Sequence, residues 1–266
     1  MEVVVRNLYY FSMCLYALAA LMLILKRGDG IAGSVRIILI TGFVFHTISV
    51  VSYIALCGYI PMHARTQNCL PRTWGMAMIM IFVLPKLKER LLLGNIILGI
   101  LILCMVGLPL PLAKEMGVRE GFLAPAPFFW FHLYDVAVVI FTYCFSLSFT
   151  LLLRRKNSSG LDQCRLQTKI PSTALWGFVF FTFAQIAGSI WAIKDFGDYW
   201  HWRPMHLISV AVWMFYAGMI HVRWIPGMSH RTAALMGVTG FSGIMWWTVY
   251  HDYGKQIILF AKGVFI

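Results

Sequence analysis

The stretch Phe128-Phe-Trp-Phe-His-Leu-Tyr-Asp-Val-Ala-Val-Val-Ile-Phe-Thr-Tyr-Cys-Phe-Ser-Leu-Ser-Phe-Thr-Leu-Leu-Leu153 runs for 26 residues with one charged group, Asp135. It does not alternate polar and apolar positions, and it is far longer than a strand of roughly 4–8 residues. As a helix rising about 1.5 Å per residue it is long enough to cross the ~30 Å hydrocarbon core of a bilayer. Apolar on every side, such a helix is stable only in apolar surroundings. The rest of the chain agrees. Of 266 residues, 60% are hydrophobic and 12% charged, and the mean hydropathy is +0.77. Soluble domains are about a quarter charged, so a soluble enzyme, a disordered chain and a fibrous protein are excluded. The fold class is all-α, a polytopic membrane helical bundle lying in the lipid bilayer.

Working outward from this segment, eight apolar runs are candidate spans: Leu8–Leu25, Ile37–Ile60, Thr73–Pro85, Leu91–Leu110, Phe128–Leu153, Pro171–Ile193, Met205–Val222 and Thr232–Tyr250. The third is short and reads as a tilted, extended or partly re-entrant helix. No repeat is visible, and the polar stretch Arg154–Thr168 reads as a loop, so residues 1–266 form a single integral membrane domain. Lysine and arginine then choose the sides. Lys26, Arg27 and Arg36 follow span one, Lys86, Lys88 and Arg90 span three, Arg154, Arg155, Lys156, Arg165 and Lys169 span five, and Arg223 and Arg231 span seven. These alternate connections hold 13 of the 22 basic residues, which puts them in the cytoplasm and both termini outside. The outward connections Gly58–Arg72, Pro111–Pro127 and Lys194–Pro204 carry prolines, glycines and aromatics, and read as short caps on the membrane surface.

The net charge of +12 marks cytoplasmic loops rather than a nucleic-acid partner. Six cysteines (Cys14, Cys57, Cys69, Cys104, Cys144, Cys164) include no CxxC pair, so no disulfide framework, zinc site or c-type haem attachment motif is present. The first apolar run has no basic start or small-residue cleavage site and reads as a retained helix.

Histidine inside a bilayer needs a polar partner. His46 lies about 13 Å into span two, counted from Ile37, and His221 closes span seven at the cytoplasmic end. His132 opens span five at the outer face, and His251 ends span eight at that face. Each ring alone is most simply a hydrogen-bonding partner for a neighbouring helix. Two pairs matched in depth also suit the axial positions of haem iron, and on the residues alone both readings stand. His201 and His206 read as surface or cap positions, with extra ligands or proton carriers as the alternatives. Between spans six and seven, Trp191, Phe196, Tyr199, Trp200 and Trp202 supply flat apolar faces, with Lys194 and Arg203 as cations. This is an interfacial aromatic belt or a platform for a large flat amphiphile whose carboxylates the cations meet.

The same residues carry a resemblance. Gly188-Ser-Ile-Trp-Ala, Gly197-Asp-Tyr-Trp-His-Trp-Arg-Pro204, Trp213 and His221-Val-Arg223 resemble the tryptophan-rich WWD signature of the cytochrome c synthetase family, CcsA (ResC) and the related CcmC, CcmF and HemX. Gly58-Tyr-Ile-Pro-Met62 with Trp74 resembles the family's GHFPLSNLYESL segment, His132-Leu-Tyr-Asp-Val136 its HVSMM segment, and His251-Asp-Tyr-Gly254 its HSYG ending. The matches run in order from about residue 40 to residue 255, with the WWD-like segment at 188–204.

The resemblance implies that His132 and His251 are external histidines ligating haem beneath the WWD segment. It implies that His46 and His221 are transmembrane histidines binding haem on its way across the membrane. Trp191, Tyr199, Trp200 and Trp202 fall on the platform, and Arg203 beside a haem propionate. The departures are specific. The family pattern WGxYWxWDPKE is here Phe196-Gly-Asp-Tyr-Trp-His-Trp-Arg-Pro-Met-His206, so Arg203 replaces an acid, Met205 a lysine and His206 a glutamate; Arg65 and Arg72 are also introduced. The implied function is delivery of haem b, one or two per chain, and its thioether ligation to an apocytochrome c carrying CxxCH. The implied enzyme is a haem lyase working with a CcsB/ResB-type partner, in a bacterial plasma membrane or thylakoid-type membrane. The alternatives are a haem b-binding electron-transfer subunit or HemX-like regulator without ligase activity, and a transporter of another amphiphile.

Overall fold

The computed structural model describes residues 2–25, 31–57, 65–83, 89–106, 125–154, 160–200, 202, 204–226 and 228–261. These form eight α-helices: α1 (Glu2–Leu25), α2 (Ile31–Cys57), α3 (Arg65–Val83), α4 (Arg90–Val106), α5 (Pro125–Leu153), α6 (Gly160–Phe196), α7 (Pro204–His221) and α8 (His230–Ala261). A 3-10 turn, Val222–Trp224, follows α7, and no strand occurs among the described residues. Val3–Leu25, Gly33–Leu56, His132–Leu153 and Cys164–Lys194 are long and apolar enough to cross a membrane; α4 and α7 contribute shorter apolar helices. Their outward faces carry Val3, Leu21, Ile37, Phe82, Trp176, Met214 and Trp246, all exposed. In water so much exposed apolar surface is a liability; in lipid it is the solvated face.

The helix ends differ from the apolar runs. The stretch Arg154–Thr168 is not all loop, because α6 begins at Gly160. The short third span is a helix from Arg65, so the last part of the expected Gly58–Arg72 cap is helical. The last helix continues beyond Tyr250 to Ala261, so His251 lies within it rather than at its end. The physical reason is common to all three: hydropathy marks the lipid-buried part of a helix, whereas the backbone hydrogen-bond ladder continues through polar residues at the interface. The expected cap Pro111–Pro127 falls mostly outside the described residues.

The helices pack as two groups of four. In the first, α1 lies against α2 and α4, and α3 against the same two. In the second, α5 packs on α6 and α8, α7 on α6 and α8, and α6 also meets α8. Helix α4 joins the groups by packing on α5 and α8. Lipid is as apolar as leucine, so close contact and interhelical hydrogen bonds hold such helices together. At the α4–α5 seam Asn95 Nδ2 donates to Thr150 Oγ1 at 2.9 Å, and Ser146 Oγ donates to the Asn95 carbonyl at 3.2 Å. At one end of that seam Arg154 pairs with Glu89. The acid stands before the N-terminus of α4 and the cation beyond the C-terminus of α5, each matched to its helix dipole. Towards the other end of α5, Asp135 accepts from Arg72 of α3, with Nη2 at 2.5 Å and Nε at 2.7 Å. This pair ties the two groups together.

Candidate functional site

The aromatic site grows from the end of α6. Gly197 adopts a φ of 78° and its N–H bonds to the Ile193 carbonyl at 3.0 Å, the left-handed ending that glycine favours after a helix. Six residues earlier, Trp191 is buried, with the Trp130 ring of α5 lying flat on it at a centroid distance of 5.1 Å and an angle of 15°. Phe196 also meets Trp191 edge-on at 5.6 Å. The flat seating of Trp130 requires Gly188: a Cβ there would stand 3.1 Å from the Trp130 ring.

Beyond the turn the chain returns with Trp200 edge-on to Trp202 at 5.8 Å and the His206 ring against Trp200 at 5.3 Å, tilted by 33°. From α7, Trp213 donates its Nε1 hydrogen to Thr182 Oγ1 of α6 at 3.0 Å. Together these elements enclose a cavity of about 240 Å³ whose walls include Trp130, Trp191, Tyr199, Trp200, His206 and Trp213. Gln185, Ser189 and Ser209 add hydrogen-bonding groups. Flat apolar walls with a few polar groups are the usual make-up of a small-molecule site.

The platform tryptophans and tyrosine therefore converge, but unequally. Trp191 is buried and Trp200 half-buried, whereas Tyr199 and Trp202 are 59% and 80% exposed. Arg203 and His201 lie outside the described residues, and Lys194 is exposed. His206, read as a surface or cap position, is half-buried in the cavity wall. Of the aromatic residues in this wall, Trp130 was not singled out from the sequence; Trp213 was named within the signature but not as part of the platform. Trp130 is one of four consecutive residues, Phe128–Phe131, three of them phenylalanine, and nothing in one dimension says which of them faces α6.

The four histidines stand in different surroundings. His132 is half-buried on α5. It follows Trp130 by two positions, about 200° round the helix, and Trp130 rather than His132 is among the described residues of the cavity wall. His251 lies on α8, which packs on α5 and runs towards the same end of the bundle; its side chain is outside the described part.

His46 is fully buried against α1, with Tyr16 Oη 3.3 Å from its Nδ1 and the Tyr9 ring at 5.4 Å. Its Nε2 is buried with no hydrogen-bond partner among the described residues, although the Leu70 carbonyl of α3 is close enough to act on the ring. Because α2 begins at Ile31, His46 stands about 22 Å along the helix.

His221, exposed at the end of α7, bonds the Ala217 carbonyl through Nδ1 at 2.7 Å and packs edge-on to Trp224 at 5.0 Å. The structure does not bring His46 and His221 together. Depth was all the sequence could compare; which helices touch is a separate variable, and α2 and α7 belong to different groups of four.

Among the described residues no three His, Cys, Asp or Glu gather to hold a bare metal ion. The donor set, isolated imidazoles beside stacked indoles, fits a tetrapyrrole, which brings four ligands of its own and asks the protein for one or two. The cavity accommodates part of such a ring, because 240 Å³ falls below the roughly 300–1,000 Å³ of drug-sized sites. The exposed faces of Tyr199 and Trp202 extend it.

The family described as "Cytochrome C assembly protein" matches residues 8–253. The chain belongs to that family. It is similar to the cytochrome c biogenesis protein CcsA of Prochlorococcus marinus (strain AS9601), 22% identical over 244 residues, covering 79% of this chain and 78% of the relative. A shorter match to CcsA of Prochlorococcus marinus (strain MIT 9215) is 38% identical over 76 residues, 29% of this chain and 25% of the relative. CcsA of Trichodesmium erythraeum (strain IMS101) is 34% identical over 88 residues, 29% and 24% respectively. In the two shorter matches the chain spans only about a quarter of the relative's length. Membership of the cytochrome c assembly family makes this an integral membrane protein with a role in c-type cytochrome maturation.

Proposed function

We propose that the chain binds haem b at the end of the bundle where α5, α6, α7 and α8 converge, and presents it for attachment to an apocytochrome c. The observation that carries this reading is the indole-walled cavity in which Trp130 lies flat on Trp191. Indole faces exclude water and take a flat apolar ring, and a preorganised aromatic surface fixes the orientation of what lies on it. Paired imidazoles hold the iron; His132 and His251 are the two that the resemblance assigns to this end, and α5 and α8, which carry them, are in contact. His46 and His221 stand as a separate transit site that requires the helices to rearrange. Lys194 and Arg203 meet the propionates on the rim.

Bound haem supplies iron and the vinyl groups that accept cysteine thiols; the chain itself supplies position, dryness and axial nitrogen. A CcsB/ResB-type membrane protein is the proposed partner, a CxxCH apocytochrome the substrate, and the outward side of the membrane the place of reaction. The replacement of the family's acid and glutamate at Arg203 and His206 favours a second reading, a haem-binding regulator or electron-transfer subunit without ligase activity.

Purification of the full chain in nanodiscs with haem content measured as the pyridine haemochrome tests binding: stoichiometric haem b, reduced at least threefold by Trp191→Ala, is expected. A preparation devoid of haem that also fails to take up added ferric haem overturns the reading. Co-expression with a ResB-type partner and a CxxCH reporter then separates ligase from regulator by covalent haem on the reporter.

A further inference from the structure

We propose that Arg72 and Asp135 are positioning residues for His46, and that their ion pair is the latch holding α3 closed over that buried ring. The inference rests on the haem reading above for its purpose, since it says how the transit histidine is reached. The latch itself is a property of the chain and is measured without haem. His46 has no exposed surface, and its Nε2 is buried with no hydrogen-bond partner among the described residues. A buried polar atom left unpaired is uncommon and calls for a reason. A state in which α3 moves aside and the nitrogen meets a partner supplies one.

Two helices wall the ring beside its own. From α1 come Tyr9 and Tyr16, and from α3 the Leu70 carbonyl acts on it. Helix α1 is firmly tied. Tyr9 Oη donates to the Cys104 carbonyl of α4 at 2.8 Å, and the Val5 carbonyl accepts from Ser49 Oγ of α2 at 3.0 Å. Helix α3 is the weaker wall. Pro71 lies inside it, so its backbone ladder lacks one N–H donor, and the turn from Leu70 to Thr73 depends on side chains for its place. Those side chains reach both groups of helices. Trp74 Nε1 donates to Thr47 Oγ1 at 2.8 Å, beside His46 on α2, and its ring stacks on Phe43 at 5.7 Å and 21°. Arg72 reaches α5, where Nε donates to Asp135 Oδ1 at 2.7 Å and the guanidinium lies over the Tyr134 ring at 5.5 Å. Leu70, which covers His46, and Arg72, which grips α5, therefore belong to one turn. Asp135 is itself one turn from His132. Breaking the pair frees that turn from α5 and lets it move off the His46 ring; forming the pair shuts it. Local opening with the rest of the fold intact is the ordinary way in which a buried group becomes reachable.

The test treats the full chain in nanodiscs with diethyl pyrocarbonate, which acylates accessible neutral imidazoles, and follows the rate at each histidine by mass spectrometry. Wild-type His46 is expected to react far more slowly than the exposed His221. Asp135→Asn keeps the shape and removes the charge; it is expected to speed the reaction of His46 by about fivefold or more and to leave that of His221 unchanged. Exchanging the charges, Arg72→Asp with Asp135→Arg, is expected to restore most of the protection, a rescue that general loosening of the bundle would not give. Backbone amide exchange in Asp135→Asn is expected to rise in α3 and not elsewhere. Should Asp135→Asn not accumulate, Arg72→Gln breaks the same pair and is read in the same way. An unchanged His46 rate in the single variants, no recovery on charge exchange, or amide exchange that rises across all the helices overturns the latch. Haem content is read separately on the same preparations: a chain that shows this protection pattern but takes up no haem keeps the latch and overturns the haem reading.

Discussion

The Arg72–Asp135 pair ties the two groups of helices, and its removal tests how firmly. Arg72 Nη2 and Nε stand 2.5 and 2.7 Å from Asp135 Oδ1, with the side chains 8% and 21% exposed. At 2.7 Å and an effective dielectric of about 20, the gross attraction is about 6 kcal/mol, much of which offsets desolvation of the two charges. Deleting one partner strips the other of this charge contact, a loss of about 3–5 kcal/mol for fully enclosed pairs. The partial exposure of Asp135 puts the expected cost near the lower limit, about 3 kcal/mol for Arg72→Leu or Asp135→Leu. Removing both charges together is expected to cost only about 1 kcal/mol, because no lone charge remains. The assay is denaturant unfolding of the nanodisc-embedded or detergent-solubilised chain, followed by tryptophan fluorescence, over the full double-mutant cycle. Single variants that cost less than about 1 kcal/mol, or a double variant that costs the sum of the singles, would refute the argument that the pair acts as one buried unit. Arg72 also lies over the Tyr134 ring at 5.5 Å, so Arg72→Lys is expected to recover only part of the loss.

Tyr16→Phe removes the hydroxyl 3.3 Å from His46 Nδ1 and is expected to cost about 1 kcal/mol of stability; a loss above about 3 kcal/mol by the same unfolding assay would show that the tyrosine does more than hold that ring. Gly188→Leu adds a Cβ that would stand 3.1 Å from the Trp130 ring and a branched chain beyond it. It is expected to unseat Trp130 from Trp191, lower haem occupancy severalfold and change the fluorescence emission; unchanged emission and occupancy would exclude the stacked pair from the binding surface. At the α4–α5 seam, Asn95→Ala removes the donor to Thr150 and is expected to cost about 1 kcal/mol, read as a shifted unfolding midpoint. Sidedness is tested with Tyr199→Cys in a background where the exposed Cys14 and Cys164 are replaced by serine: a membrane-impermeant maleimide is expected to label it from the outside of intact cells, and labelling only after lysis would reverse the assigned orientation.

Much of this protein is visible in one dimension. The charge-poor run at Phe128–Leu153 identifies the bilayer as its solvent, and the residues from Gly188 to His206 carry the resemblance that the match over residues 8–253 bears out at the level of family. Hydropathy is a sum over residues, so it survives without knowledge of neighbours, and motif spacing is a property of the chain itself. Helix ends were less legible, since α6 and α8 extend through polar residues whose backbone bonds the hydropathy of their side chains does not report.

What the fold alone decided is facing. That Trp130 stacks on Trp191 of α6, that His206 lines the cavity, and that His46 packs on Tyr9 and Tyr16 rather than on His221, all depend on helical phase and on which helices are neighbours. A rotation of about 100° per residue turns adjacent positions to different partners. In a bundle apolar on every face, side-chain polarity gives little indication of which face is inward, and only close packing between particular helices selects it.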